Sequence, residues 1–223
     1  HRAIGDKLRC VFVNHGLLRE GEEEEVVNMF KYNFGIKLIY VNAEKRFLDR
    51  LKNIIDPERK RMIIGDEFGK IFEEVAKENG PFQWLAQGTL YPDIIESGVS
   101  KGPASLIKSH HNVAGLPKKL NFKVIEPLRN LYKDEVKEVG KLLGIPELLI
   151  KRNPFPGPGL AIRIIGEVTN EKIAICKRAS RIIEDELLKV NMNDKIWQAF
   201  AIVGDDKAVG VLGDKRVYGN IVT

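Results

Sequence analysis

Five consecutive residues, Lys108-Ser109-His110-His111-Asn112, set a cation, a hydroxyl, two imidazoles and a carboxamide side by side. Together they can donate several hydrogen bonds to a multiply charged anion such as a polyphosphate. Gly115 and Pro117 follow, so the run reads as a loop, too polar for a core strand and too punctuated for a helix. Upstream, Asp93 and Glu96 stand three residues apart after Pro92. A helix begun at that proline puts both carboxylates on one face, where they could support magnesium or move protons. Taken alone, each motif also reads blandly, as a solvated loop and as a helix cap. A phosphate-rich substrate accounts for both.

These side chains need elements to position them, and the hydrophobic pattern supplies an alternating series. Residues 8–13 read as a buried strand, and Val26, Val27, Phe30 and Phe34 recur at helical spacing before Gly35. A strand over 37–41 follows. The next helix, over about 57–78, carries Ile64, Phe68, Ile71, Phe72 and Val75 on one stripe and stops at Asn79-Gly80-Pro81. Short strands are expected at 84–86 and 123–125, and a helix at 134–143. Such β-α-β-α-β order predicts an α/β fold with a parallel sheet and helices on both faces. Ligands of these sheets bind beyond the carboxyl ends of the strands, the rim that Asn14-His15-Gly16 and Gln87-Gly88-Thr89 occupy. Gly65-Asp66-Glu67-Phe68-Gly69-Lys70 is not a Walker loop, because its spacing is wrong and it lies inside a helical stripe.

The pattern changes after Ile150. Residues 152–159 hold three prolines and two glycines in eight positions, which by composition alone reads as an interdomain linker. A strand over 161–168 is expected beyond it, then a helix with Ile175, Ala179, Ile182, Ile183, Leu187 and Val190 on its stripe, and strands near 209–212 and 221–222. The division is therefore 1–150 and 151–223. The second part is too small to bury a good core alone and leaves sheet edges open, so pairing with a second copy is expected.

Composition narrows the function classes. The 36 Lys and Arg against 31 Asp and Glu give a net charge of +5, and acid concentrates at Glu20 and Glu22 to Glu25, where it would repel a nucleic-acid backbone. A small anionic substrate explains the balance better. No apolar run reaches membrane length and no signal peptide is visible, so a cytoplasmic location is expected. Cys10 and Cys176 form no C-x-x-C pair, which argues against a disulfide framework or a zinc site.

The segments QGTLYPDIIES (87–97) and IKSHHNVAGLP (107–117) resemble the ATP pyrophosphatase domain of the GMP synthetase family. So do DPERKR (56–61) with IIG (63–65), EPLRNLYKDEV (126–136), RNPFPGPGL (152–160) and QAF (198–200), in that order along the chain. The resemblance implies an adenine nucleotide alpha hydrolase-like domain followed by part of a small α+β dimerisation domain. It implies amination of xanthosine 5'-monophosphate (XMP) through an adenylated intermediate, with ATP and Mg2+, and a homodimer. Lys108, His110, His111 and Asn112 are then expected on a loop that closes over the adenylation site. Asp93 and Glu96 would handle protons and support the metal, with no metal ligand set singled out. Val13 and Gly88 would line the ATP site; Arg61, Arg152, Pro156, Gly157, Pro158, Gly159 and Gln198 would face XMP. Met62 stands where a basic residue is usual, so a second cation there is in doubt.

Two departures accompany the resemblance. The family's Ser-Gly-Gly-x-Asp-Ser phosphate loop and its Lys-Pro-Pro-Ala-Thr-Ile-Glu end do not occur in this sequence, which leads us to expect further residues at both ends. Neither cysteine sits in a Gly-rich nucleophile turn, so ammonia is expected from a glutaminase domain or subunit elsewhere. Two alternatives stay open: a non-catalytic dimerisation or scaffold fragment, and another adenylating ATP pyrophosphatase such as a tRNA-modifying enzyme.

Overall fold

The computed structural model describes residues 1–98, 122–192, 195, 196 and 198–223. They cluster into two units, His1–Lys60 with Pro158–Thr223, and Arg61–Gly157. This grouping joins the segment after 158 to the first sixty residues, whereas composition suggests a change of character at 150.

In the first unit β1 (Cys10–Asn14) and β2 (Leu38–Asn42) pair in parallel, with Cys10 opposite Leu38 and Asn14 opposite Asn42. The crossover is α1 (Glu22–Asn28), extended by one π turn over Met29–Asn33. Four glutamates in the first turn of α1 suit the positive end of its dipole. From β2 the chain enters α2 (Glu44–Leu51), whose Phe47 and Leu51 are fully buried, as is Leu17 after β1. Each such side chain contributes about 1.5–3 kcal/mol of hydrophobic stabilisation.

The same unit holds α7 (Asn170–Lys189), capped by Thr169, whose hydroxyl accepts the Lys172 N–H at 3.2 Å. Lys172, Ile173, Cys176 and Ser180 form its buried stripe, whereas Ile182 and Val190 of the expected stripe are exposed and Ile175, Ala179, Ile183 and Leu187 half-buried. The hairpin of β5 (Val203–Leu212) and β6 (Lys215–Val222) turns through Gly213, at φ +60°, a left-handed value that suits glycine.

In the second unit β3 (Trp84–Ala86) pairs in parallel with β4 (Lys123–Ile125). Most of α3 (Pro57–Asn79) belongs to this unit, with α4 (Tyr91–Gly98), α5 (Lys133–Leu142) and α6 (Glu147–Ile150). Of the expected α3 stripe Ile64, Ile71 and Val75 are buried, whereas Phe68 and Phe72 are half-buried and Lys60 and Glu67 lie inside. Glu135 caps α5 by accepting the Tyr132 N–H at 2.7 Å, and buried Gly140 brings α5 against Ile145 and Ile150.

Several expectations change. The described residues form a mixed α/β chain with three two-stranded sheets, β1-β2, β3-β4 and β5-β6, and no continuous parallel sheet. Residues 161–168 are not a strand: Gly159–Arg163 is a 3-10 turn, and only Ile164 makes a bridge, to Val203. The isolated strands expected at 209–212 and 221–222 belong to one long hairpin. No described helix is long and apolar enough to cross a membrane.

Candidate functional site

In the first unit the carboxyl end of β1 is a tight polar turn. Asn14 Oδ1 accepts the Gly16 N–H at 2.8 Å, and His15 Nδ1 accepts the Leu17 N–H at 3.0 Å. The Asn14 amide donates to Glu23 at 2.7 Å, and the Tyr40 hydroxyl donates to the other oxygen of the same carboxylate. Glu23 comes from α1 and Tyr40 from β2, so the crossover helix and both strands are tied at one end. Gly16 is at φ +76°, and a Cβ there would lie 2.7 Å from the Glu44 side chain.

His15 is buried, with its ring edge-on to Phe47 at 5.7 Å. Desolvation pushes its pKa down to about 4, and the positive charge of Lys177 adds to the shift. The imidazole is therefore neutral at physiological pH, with its proton on Nε2 because Nδ1 is an acceptor. It serves as a fixed part of the turn.

The Pro/Gly-rich segment ends on this turn. The Leu160 N–H donates to Leu17 O at 2.9 Å. Gly159, at φ +64°, passes so close that a Cβ would lie 2.4 Å from Leu17 O and 2.9 Å from His15 Cε1. Only glycine meets both demands. Pro158, Gly159 and Leu160 are buried, so this end of the segment is packed structure, although its composition reads as a linker.

In the second unit the ends of β3 and β4 form another polar rim. The Gln87 N–H extends the strand pairing to Ile125 O at 2.9 Å. The Thr89 hydroxyl donates to Glu126 at 2.7 Å, and Glu126 pairs with Arg129 at 3.4 Å. Asp93 accepts the Leu90 N–H at 2.8 Å, which makes its carboxylate a helix cap for α4. Tyr91 meets Tyr132 edge-to-face at 5.2 Å. Gly88 is exposed, with open space where a side chain would stand.

The other sequence candidates are distributed as follows. Lys108, His110, His111 and Asn112 lie outside the described residues. Glu96 is on α4, three residues after Asp93. Val13 is buried and pairs with Val41 near the end of β1. Arg61, Arg152 and Pro156 are half-buried, whereas Gly157 and Gln198 are exposed. Among the described residues no group of three or more His, Cys, Asp and Glu side chains could hold a metal ion. An open cleft of about 570 Å³ between Asn42–Lys52 and Glu167–Asn170 contains none of the candidates; its Lys45 and Lys52 both pair with Asp49.

Sequence reading missed the buried cations. Lys60 is 1% exposed and Lys172 is 5% exposed. Arg163 is buried with its guanidinium 4.6 Å from the Phe200 ring centre, and burial lowers its pKa from the ordinary value. A signal existed for Lys60, which precedes Ile64 by one helical turn and so falls on the apolar stripe of α3.

Each unit of this mixed α/β chain thus carries a polar turn at the carboxyl ends of its paired parallel strands. Comparison with known sequences is more particular: residues 185–223 match the family model described as GMP synthase C terminal domain. Over 98% of its length the chain is also similar to proteins named GMP synthase [glutamine-hydrolyzing]. It is 55% identical to that of Halothermothrix orenii over 219 residues, 56% to that of Clostridium botulinum over 218 and 52% to that of Symbiobacterium thermophilum over 218. The chain spans 42% of the length of each of these relatives. The resemblance drawn from the motifs is thus borne out along nearly the whole chain.

Proposed function

We propose that this chain carries the synthetase half of GMP formation, as part of a ligase that aminates XMP. Residues 1–150 are the ATP pyrophosphatase domain and 151–223 part of the dimerisation and XMP-binding domain. The observation that carries this reading is the 52–56% identity over 98% of the chain to proteins named GMP synthase. The polar turns at the ends of the parallel strands support it, being the kind of rim on which a nucleotide is held.

The oxygen at C2 of xanthine is a poor leaving group. In the proposed reaction it attacks the α-phosphorus of ATP and pyrophosphate departs. Ammonia, supplied by a glutaminase domain or subunit, then adds at C2, and the C2–O bond breaks with release of AMP. Gly88, with no side chain and open space around it, lets ATP approach the β3 rim, and Val13 lines the end of β1. Arg61, Arg152 and Gln198 orient XMP with the 156–159 backbone. Lys108, His110, His111 and Asn112 donate to the oxygens around the α-phosphorus. Asp93 and Glu96 handle protons, Asp93 while capping its helix.

Magnesium, when bound, neutralises phosphate charge. Asp93 and Glu96 would be the carboxylates in its support.

Oxygen labelling tests the route. XMP carrying ¹⁸O at C2, given to a polypeptide of the relatives' full length with ATP and ammonia, should transfer its label to the phosphate of AMP. Label in inorganic phosphate, or retained in the purine product, would contradict the proposal.

A further inference from the structure

Two lysines lie buried in the first unit, and nothing in the proposed reaction uses them. The Lys60 ammonium donates to the carbonyls of Ala161 at 3.3 Å, Ile164 at 2.7 Å and Gly166 at 2.6 Å. The Lys172 ammonium donates to Ile165 O at 3.2 Å and Glu167 O at 3.0 Å, and pairs with Asp205. An ammonium has three donors, and each lysine here has three acceptors. Two cations therefore bind the carbonyls of 161, 164, 165, 166 and 167.

This run needs such partners. It is neither a full helix nor a strand, and buried backbone carbonyls must be paired somewhere. Apolar side chains of the same size would fill the space and leave the carbonyls unsatisfied, at a cost for each. The run follows Gly159 and Leu160 directly, the residues docked on Leu17 and His15. What fixes 161–166 therefore also fixes the carboxyl end of the Pro/Gly-rich segment.

We propose that Lys60, supported by Lys172, is a positioning residue for the XMP-binding segment: its ammonium holds the 161–166 backbone and through it the Pro158-Gly159 end of that segment. The proposal rests on the GMP-forming reading above and adds a residue that touches no substrate.

Burial, with Lys172 second, lowers the pKa of Lys60 to about 8; Asp205 and Asp56 oppose the shift. Besides these groups, the 161–166 carbonyls face it. Above that pH the amine has two donors for three carbonyls, and the segment loses a tie. Global stability moves the other way. Between about 8 and the unfolded value of 10.5 the unfolded chain binds more of this proton, so this group's contribution to stability rises with pH. A purely structural role thus predicts no loss of substrate affinity without loss of stability, and a positioning role predicts that loss.

The experiment measures XMP-dependent AMP release by the full-length enzyme from neutral to alkaline pH, at constant free ammonia, with thermal melts alongside. The wild type should show a KM for XMP that rises about tenfold from neutral pH to one pH unit above the Lys60 pKa, with kcat at saturating XMP changing by less than about threefold. Lys60→Met should raise that KM about tenfold or more at neutral pH and remove the pH dependence, leaving KM for ATP unchanged. A Lys60→Met KM within about twofold of wild type, or a wild-type KM flat across the range, would overturn the proposal. If Lys60→Met does not fold, the wild-type profile decides. A wild type that releases no AMP overturns the underlying GMP reading instead, which is a separate result.

Discussion

At the scale of single residues, the turn after β1 makes the sharpest demands. Gly159 combines φ +64° with a carbonyl 2.4 Å from any Cβ, so Gly159→Ala must move either its own backbone or Leu17. A loss of about 2–4 kcal/mol is expected, read by denaturant titration; a loss under about 0.5 kcal/mol would show that the contact is not fixed. His15 gives a second test. Its folded pKa of about 4 lies below the ordinary value of 6.5, so the unfolded chain binds more protons between those values. Stability is then full above about 6.5 and falls as pH drops toward 4, by no more than roughly 3 kcal/mol. His15→Gln should flatten that part of the acid profile in thermal melts, and an unchanged slope would contradict a buried neutral imidazole. On the proposed reading, Lys108→Ala or His111→Ala slows adenylation by about 30-fold or more, since one charge-assisted contact in a closed site is worth about 2–4 kcal/mol. Pyrophosphate release within about threefold of wild type in both would remove these residues from the mechanism.

At the scale of elements, the hydrophobic period made the existence of α1, α3, α5 and α7 and of the first four strands legible, but not the buried face of α7. Ile64, Ile71 and Val75 of the α3 stripe are buried as their spacing requires, and β1, β2, β3 and β4 lie within a residue or two of their expected positions. Residues 161–168 were misread because Ile162, Ile164 and Ile165 have strand composition, while the carbonyls of the run are taken by Lys60 and Lys172. Lys60 stands about a hundred residues earlier in the chain, and no local pattern around 161–168 encodes it. Similarly, the composition of 152–159 suggests a linker, whereas the docking of Gly159 depends on a turn far earlier in the chain. The motif residues 108–112, singled out by resemblance to the GMP synthetase family, lie outside the described residues. The Asn14-Glu23-Tyr40 cluster left no comparable signal, because its members come from three separate elements. The β5–β6 hairpin carries its own test. Val211 is 74% and Leu212 75% exposed, and Val209 and Tyr218 sit opposite each other, also exposed. If a second copy covers this hairpin, Val211→Asp should weaken pairing at least tenfold by sedimentation, on the scale of about 1.4 kcal/mol for a buried apolar contact. Unchanged association would put the dimer contact elsewhere.

At the scale of the whole molecule, the chain spans 42% of its relatives' length, and the proposed reaction needs a source of ammonia. The central claim is that phosphoryl chemistry at the α-phosphorus activates XMP for amination. Its most direct test is product analysis with a polypeptide of the relatives' full length, given ATP, magnesium, ammonia and XMP. The account predicts one AMP and one pyrophosphate for each GMP formed, and no AMP when XMP is left out. Release of ADP, or AMP formation independent of XMP, would contradict it.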